Sequence, residues 1–242
     1  MRRSSLSVAA GVTLLWAGTA LGTPTPQQSC DYARITAWKV YQSCVDAVVA
    51  KDAKGIAFDS WKAFWKCRHA YFKKWTAFQS KASLAGSTCV GARFSDASFV
   101  VIDNLTGLYW EKKSDDSSVS DKDNQYSWGS GGFSTGGAFT TFVHFLNNGN
   151  PLVNDWRLPT LAELQTLLLD YPCTGGGGGT GCECTGPCVD PLFNNTQSSY
   201  YWSDTRYVPD GGRAWVVSFG TGLVIPFIQT DTDYVRAVTA GF

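Results

Sequence analysis

Two stretches in the first third of the chain repeat hydrophobic residues at intervals of three and four. In residues 29–50 the repeat runs through Ile35, Trp38, Val45, Val48 and Val49. In residues 58–81 it is stronger and runs through Trp61, Phe64, Trp65, Phe72, Trp75 and Phe78. This spacing is typical of amphipathic helices, and residues 51–55 serve as the turn between them. The pattern therefore predicts an antiparallel helical hairpin.

From Phe94 onward the pattern changes to short apolar runs separated by Gly, Asp and Asn. The runs FVVIDNLTGLYW, YYWSDT, AWVVSFGTGLVIPF and DYVRAV predict β-strands, with a hairpin turn through residues 220–222. Two helices are expected between the strands, over residues 138–146 and 161–169. The second begins with a capping box, because Thr160 is followed three residues later by Glu163.

The beginning of the chain has the order of an export signal. Arg2 and Arg3 precede an apolar run over residues 6–21, which ends in Ala-Leu-Gly. The run is shorter than the roughly 20 residues that a membrane-spanning helix needs. We therefore expect a signal peptide over residues 1–22 and a mature chain without a transmembrane segment, located in the periplasm, at the cell surface or outside the cell.

Eight cysteines fall into two groups of four, which in an exported chain favours disulfides. The first group belongs to the hairpin. Folding the two helices antiparallel brings Cys44 near Cys67, and it places Cys30 near the end from which Cys89 continues. Nested pairing is the preferred of three connectivities for this group.

The second group of cysteines is Cys173, Cys182, Cys184 and Cys188, inside a glycine-rich loop. Because Cys182 and Cys184 are too close to pair together, Cys173 is expected to pair with one of them. A zinc cluster is the alternative, but the exported setting and the irregular spacing favour disulfides.

The two parts of the chain carry opposite charge. Residues 23–93 contain eleven Lys and Arg against four Asp and Glu, whereas the residues after them contain seven against sixteen. The opposite signs permit the two parts to dock on each other, or the basic part to meet anionic polymers of the cell surface. A solvated helix face is the simpler interpretation. Nucleic acid is not an expected partner, because the aromatic-rich part is acidic.

The sequence offers little support for a catalytic site. The two histidines, His69 and His144, both lie in predicted helices, and no G-x-S-x-G motif is present. The five glycines at residues 175–179 lack the Lys-Ser/Thr that follows them in a phosphate-binding loop. We therefore expect a protein without catalytic residues.

Several motifs from residue 94 on resemble, in order, the Lcl C-terminal domain family, a bacterial family of unknown function named for the end domain of a collagen-like adhesin. They are DNLTGLYWEKK, DKDNQYSW, DWRLPTLAELQTLL, CVDPLFNNTQSSYYWSDT, AWVVSFGTGLV and DYVRAV. The resemblance implies an α+β, C-type-lectin-like domain over residues 93–242, with two helices, a twisted antiparallel sheet and long loops on one face. The stapled hairpin of residues 23–92 precedes it. Formylglycine-generating oxidases share this fold distantly.

The segment DWRLPTLAEL is interpreted as a structural brace in which the guanidinium of Arg157 binds buried carbonyls or an acid. A buried arginine without partners would cost several kcal/mol. A second buried arginine is expected in YVRAV. The residues assigned to the brace are Asp155, Trp156, Arg157, Thr160, Glu163, Trp202 and Arg236.

The long loops combine aromatic rings with amides and carboxylates, which is how proteins bind sugars. The residues predicted to contact a ligand are Tyr126, Trp128, Phe133, Tyr200, Tyr201 and Tyr207. The hypothesis is a non-catalytic adhesion module for a glycan or protein ligand at the cell envelope. The alternatives are an oxidase of the formylglycine-generating kind and a structural component of a surface assembly.

Calcium is the one cofactor for which the sequence offers ligands. Asp121, Asp123 and Asn124 supply oxygen atoms, as do the nearby Asp115 and Asp116, but their spacing does not match an EF-hand loop. The E-P-N and Q-P-D triplets of calcium-dependent lectins are absent from the sequence. A solvated acidic loop is therefore the default expectation.

Overall fold

The structure is a computed structural model that describes residues 24–56, 58–86, 93–104, 106–149, 155–168 and 187–240. The predicted signal peptide lies outside the described residues. So do Cys89, Cys173, Cys182 and Cys184. The expected boundary between hairpin and domain falls between residue 92, which is outside the described residues, and Arg93, which is the first described residue after the gap. Among the helices described, none is long and apolar enough to cross a membrane.

The hairpin is formed by α1 (Pro26–Asp52) and α2 (Ser60–Leu84). Each helix begins directly after a capping residue, α1 three residues before the predicted stretch and α2 two residues inside it. The Thr25 hydroxyl accepts a hydrogen bond from the Gln28 N–H, and the Asp59 carboxylate accepts one from the Lys62 N–H. These N-cap hydrogen bonds determine the residues at which the two helices begin.

A disulfide joins the two helices. Cys44 and Cys67 are bonded, with their Cα atoms 5.7 Å apart, so this predicted pair is confirmed. Cys30 and Cys188 each take part in a disulfide as well. The predicted partner of Cys30 lies outside the described residues, as does every expected partner of Cys188.

The hairpin shares most of its core with the rest of the chain. Most of its buried side chains belong to the same hydrophobic cluster as those of the following helix and sheet, whereas Cys30 and Ala82 form a small separate cluster at its open end. The Phe64 and Trp215 rings meet edge to face with centroids 5.3 Å apart, and the buried Tyr41 hydroxyl donates to Gln165 Oε1 at 3.0 Å. The two oppositely charged parts of the chain are thus docked through a continuous core.

The predicted apolar stripe of α1 is wrong at one position. Ile35 is 44% exposed, whereas Arg34 and Tyr41 are buried. At about 100° per residue, Ile35 is rotated away from the face that is centred on Tyr41 and Val45. Docking on the following domain selected that face.

The remainder of the fold is antiparallel β-structure with short helices, which confirms a mixed α and β architecture. The strands are β1 (Phe94–Ala97), β2 (Val100–Asp103), β3 (Leu108–Glu111), β4 (Tyr126–Ser127), β5 (Tyr200–Tyr207), β6 (Arg213–Ser218), β7 (Val224–Ile228), β8 (Thr232–Asp233) and β9 (Val238–Thr239). One sheet has the order β1-β2-β3-β9, a second has the order β5-β6-β7, and β4 pairs with β8. The predicted turn at residues 220–222 joins β6 to β7.

Two further helical segments lie where the apolar spacing predicts them. The first begins as a π-helical turn, Ala138–Val143, and continues as α3 (His144–Gly149). The second is α4 (Leu161–Thr166), which starts at the Thr160 capping box and is buried along its length. Residue 169, the expected end of the second helix, lies outside the described residues.

Candidate ligand-binding surface

Between β4 and the π-helical turn, a tight turn exposes the aromatic ring of Phe133 to solvent. Ser130 and Phe133 exchange backbone hydrogen bonds of 3.3 and 3.0 Å. Between them, Gly131 and Gly132 both have positive φ, at 59° and 85°. This is the geometry of a two-residue type I′ turn, which glycine adopts without strain. Residues 129–136 are called the Phe133 loop below.

The Phe133 loop is held by a buried glutamine from the far end of β7. The Gln229 carbonyl accepts from the N–H groups of Trp128 and Gly129, both at 3.0 Å. Its side-chain oxygen accepts from the Gly132 N–H at 3.0 Å. The Gln229 amide in turn donates to the Arg213 carbonyl, so its orientation is set. The loop backbone is therefore anchored to the three-stranded sheet.

Two glycines permit a backbone approach that no other residue tolerates. A Cβ atom on Gly129 would lie 1.9 Å from the Phe133 carbonyl oxygen, and one on Gly136 would lie 2.2 Å from the Ser127 carbonyl oxygen. Both neighbours are backbone atoms, which cannot move aside cheaply. These close backbone contacts restrict the conformations that are open to the loop.

The Phe133 ring itself is 70% exposed. Two more exposed apolar side chains come from neighbouring segments, Val208 in the turn after β5 and Ile228 at the end of β7. Arg206 joins these segments, since its guanidinium donates to the Gly132 carbonyl at 2.9 Å. Phe133, Arg206, Val208 and Ile228 together are called the Phe133 surface.

Two of the aromatic residues predicted as ligand contacts are enclosed in the core instead. Trp128 and Tyr201 are each 1% exposed. The Trp128 indole donates to the Ser203 carbonyl at 2.8 Å, and Tyr201 stacks on Phe219 with ring centroids 4.3 Å apart. Their rings offer no surface to a ligand, so the predicted role is corrected for both.

Tyr126, Tyr200 and Tyr207 are partly buried. Each leans on an aromatic neighbour, with centroid separations of 5.6, 4.6 and 5.3 Å respectively. The Tyr126 hydroxyl donates to the Val119 carbonyl. Of the six predicted contact residues, Phe133 alone presents most of its ring to solvent.

Arg157, in the predicted brace, forms a bidentate ion pair with Glu163. Its guanidinium nitrogens lie 2.8 and 2.7 Å from the two carboxylate oxygens of Glu163. The backbone of Arg157 pairs with Val238 of β9 through bonds of 3.0 and 2.9 Å. Glu163 also accepts from the Thr160 N–H, so one carboxylate serves both the helix cap and the arginine. The segment ties α4 to β9.

Burial and charge oppose each other within this pair. Burial favours the neutral carboxyl of Glu163, but the hydrogen bond and the charge of Arg157 outweigh it, so the pKa of Glu163 is lowered. The carboxyl of Asp204 also feels the charge of Arg157, but there burial outweighs that charge and raises the pKa of Asp204. The Arg157 side chain is 42% exposed, which makes it less enclosed than the brace hypothesis assumed.

Most of the other residues assigned to the brace are buried in the core. Trp156 is buried, and its backbone exchanges two hydrogen bonds with the Asn147 amide. Asp155 accepts from the Thr239 hydroxyl. Trp202 is fully buried, with its indole N–H on the Tyr126 carbonyl. Arg236 is likewise fully buried.

The acidic loop brings three carboxylates together, those of Asp115, Asp121 and Asp123, with oxygen atoms within 4.8 Å of one another. Protein groups neutralise them. Asp121 accepts three backbone N–H groups at 2.6 to 2.9 Å, and Lys122 bridges the other two at 3.0 and 2.6 Å. The predicted ligand Asn124 uses its amide to bind the Ser118 carbonyl. The loop is folded around its own charges, and nothing in this geometry requires a cation.

The buried carboxyl of Asp233 has no such neutralising partner among the described residues. Burial, with a smaller contribution from Asp231, raises the pKa of Asp233 to about 7. Between pH 4 and 7 the folded state keeps a proton that the unfolded chain releases, so stability should fall as pH rises through this window. We expect Asp233→Asn to raise the free energy of unfolding by about 2 to 4 kcal/mol at pH 8 and to leave it nearly unchanged at pH 4.

Urea unfolding at both pH values measures this effect. Asp46→Asn on the exposed face of α1 serves as the control and should change stability equally little at both. Equal effects of the two substitutions at pH 8 would show that Asp233 is solvated in the fold.

Sequence reasoning missed the residues that anchor the loop. Gln229 and Arg206 are separated from the Phe133 loop by more than seventy residues, and no local signal marks them. The Gly131-Gly132 pair was a usable signal, because Gly-Gly between two short extended runs is typical of a type I′ hairpin turn. The loop was instead interpreted as a long polar connection.

Comparison with known proteins agrees with the motif order. The model of the Lcl C-terminal domain matches residues 99–239, which is more than half of the chain. No curated protein and no solved structure matches the chain. The Phe133 loop, the Arg157 segment, the acidic loop and all of the described strands except β1 lie inside the matched range. The chain belongs to the Lcl C-terminal domain family.

Proposed function

We propose that this protein is an exported, non-catalytic binding module that recognises a glycan or a protein ligand at the bacterial cell envelope. The Phe133 surface carries the proposal. An aromatic ring that is 70% exposed stands on a loop whose backbone is anchored by Gln229 and closed by two glycines. A rigid loop loses little conformational entropy on binding, and exposed aromatic residues supply much of the binding energy at interfaces.

The finer fold assignment, a C-type-lectin-like domain, is part of the same proposal. It is supported by the family membership, the antiparallel sheets and the helix that opens at the RLPT segment. In such a fold the long loops form the ligand-binding side. Fold alone does not define function, so the binding role rests on the exposed ring rather than on this likeness.

The cysteines support binding over oxidation chemistry, and they support export. The four described cysteines, Cys30, Cys44, Cys67 and Cys188, are all disulfide-bonded. A thiol-dependent oxidase needs reactive thiolates, and these four residues offer none. Disulfides of this kind persist in oxidising compartments such as the periplasm and the cell exterior.

Phe133→Ala tests the proposal. We expect about thirtyfold weaker binding of its best glycan ligand or of intact cell envelopes, because an exposed aromatic anchor is removed while the loop backbone is unchanged. Binding is measured on a glycan array and by fluorescence on envelope preparations, with and without calcium. Phe99→Ala is the matched control, since Phe99 is 59% exposed outside the Phe133 surface.

Gly129→Ala separates the ring from the rigidity of its loop. The added methyl group collides with the Phe133 backbone, so the loop must rearrange although the phenyl ring is still present. Binding should weaken in this variant too. Retention of full binding by both Phe133→Ala and Gly129→Ala, or no binding of the unaltered protein to glycans or envelopes, would refute the proposed function.

A further inference from the structure

Helix α2 carries positive charge without any acidic residue. Its 25 residues include five lysines and one arginine, and neither Asp nor Glu. Lys62, Lys66 and Lys73 are exposed and fall within an arc of about 40° when each residue advances about 100° around the helix. This arc is opposite the buried Phe64 and Tyr71. The three lysines therefore point directly away from the core.

The arrangement lowers the stability of the helix. Lys62 and Lys66 are four residues apart, a spacing at which like charges repel by a few tenths of a kcal/mol. Lys62 also lies in the first turn, where the helix dipole disfavours a cation. Among the residues that the structure describes, none of the three lysines forms a salt bridge. The fold itself does not account for this row of charges.

The cationic region is broad and has an apolar end. Lys74 and Lys81 are exposed and widen the region to an arc of about 120°. Leu84, the last residue of α2, is 91% exposed and falls in the same direction as Lys66. Lys62, Lys66, Lys73, Lys74, Lys81 and Leu84 are called the basic face of α2. A face this wide contacts a plane better than it contacts a single extended chain.

We propose that the basic face of α2 docks the protein on an anionic phospholipid surface. The helix lies parallel to the membrane, its lysines bind lipid phosphates, and Leu84 enters the acyl boundary. Charge complementarity selects the partner, because the basic face has no acid of its own. The acidic remainder of the chain is repelled by the same surface, which orients the molecule with the hairpin toward the membrane.

Vesicle cosedimentation of the disulfide-bonded protein tests the inference. Vesicles of phosphatidylglycerol and phosphatidylcholine should bind the protein at low salt, and pure phosphatidylcholine vesicles should not. High salt should release it, since the contact is largely electrostatic. Lys66→Gln combined with Lys73→Gln should weaken binding at least about tenfold. Leu84→Ser should weaken it by a smaller factor.

The matched control is Lys39→Gln combined with Lys54→Gln, which removes the same charge from exposed positions outside α2. It should retain most of the binding. An equal loss in both double variants would show a dependence on net charge alone and overturn the assigned face. Binding to soluble dextran sulfate but not to vesicles would identify a linear polyanion as the partner and overturn the membrane assignment. Circular dichroism verifies that each variant is folded.

Discussion

Arg236→Ala is expected to lower the free energy of unfolding by about 4 kcal/mol. The side chain of Arg236 is fully buried. Its guanidinium donates to the Glu111 carbonyl and to the Thr196 hydroxyl, both at 2.6 Å, and lies over the Phe193 ring. Truncation leaves a buried carbonyl and a partly buried hydroxyl without their donor and opens a cavity beside an aromatic ring.

The neighbourhood of Arg236 makes this loss larger. Glu111 and Lys113 form a buried ion pair at 3.1 Å, and Lys113 lies over the Phe142 ring. Glu111 also accepts from the Ala237 N–H at 3.0 Å, next to Arg236 in the chain. Burial lowers the pKa of Lys113. A shift of the Arg236 backbone would therefore disturb a charged cluster that has little access to solvent.

Urea unfolding followed by tryptophan fluorescence measures the effect. Arg213→Ala is the control, because the Arg213 side chain is 41% exposed and pairs with a surface aspartate. It should cost less than about 1 kcal/mol. Similar losses in the two variants would mean that Arg236 does not brace the domain.

Removal of the disulfide between Cys44 and Cys67 is also expected to have a large effect on stability. Replacement of both residues with alanine should lower the free energy of unfolding by about 3 kcal/mol. The bond closes a loop with a sequence separation of 23, so its loss returns conformational entropy to the unfolded chain. Cys67 is also buried in the core that the hairpin shares with α4 and β6.

Thermal unfolding of the double variant at matched pH measures this effect. Cys44→Ser with Cys67→Ser should be less stable than the alanine pair, since a hydroxyl at position 67 places a polar group inside an apolar cluster. An unchanged melting temperature in the alanine variant would contradict the expectation. It would show that packing on the sheet alone holds the hairpin.

Local features of this protein were determined by its sequence. The helices of the hairpin follow from apolar spacing, the Cys44 to Cys67 bond from the position of both residues beside the turn, and the start of α4 from Thr160 and Glu163. Each of these depends on residues a few positions apart or on one antiparallel fold-back. The family, too, follows from the motif order.

Which side chains are exposed to solvent was decided only by the tertiary structure. Trp128 and Phe133 are five residues apart in one glycine-rich segment, and the sequence assigned both to ligand contact. Trp128 is enclosed and Phe133 is displayed, because Gln229, almost a hundred residues later, binds the backbone between them. In the same way, docking against α4 buried Tyr41 and left Ile35 in solvent. Local pattern encodes helices, caps and turns, whereas the burial of a given side chain depends on distant segments that reach it only in the folded chain.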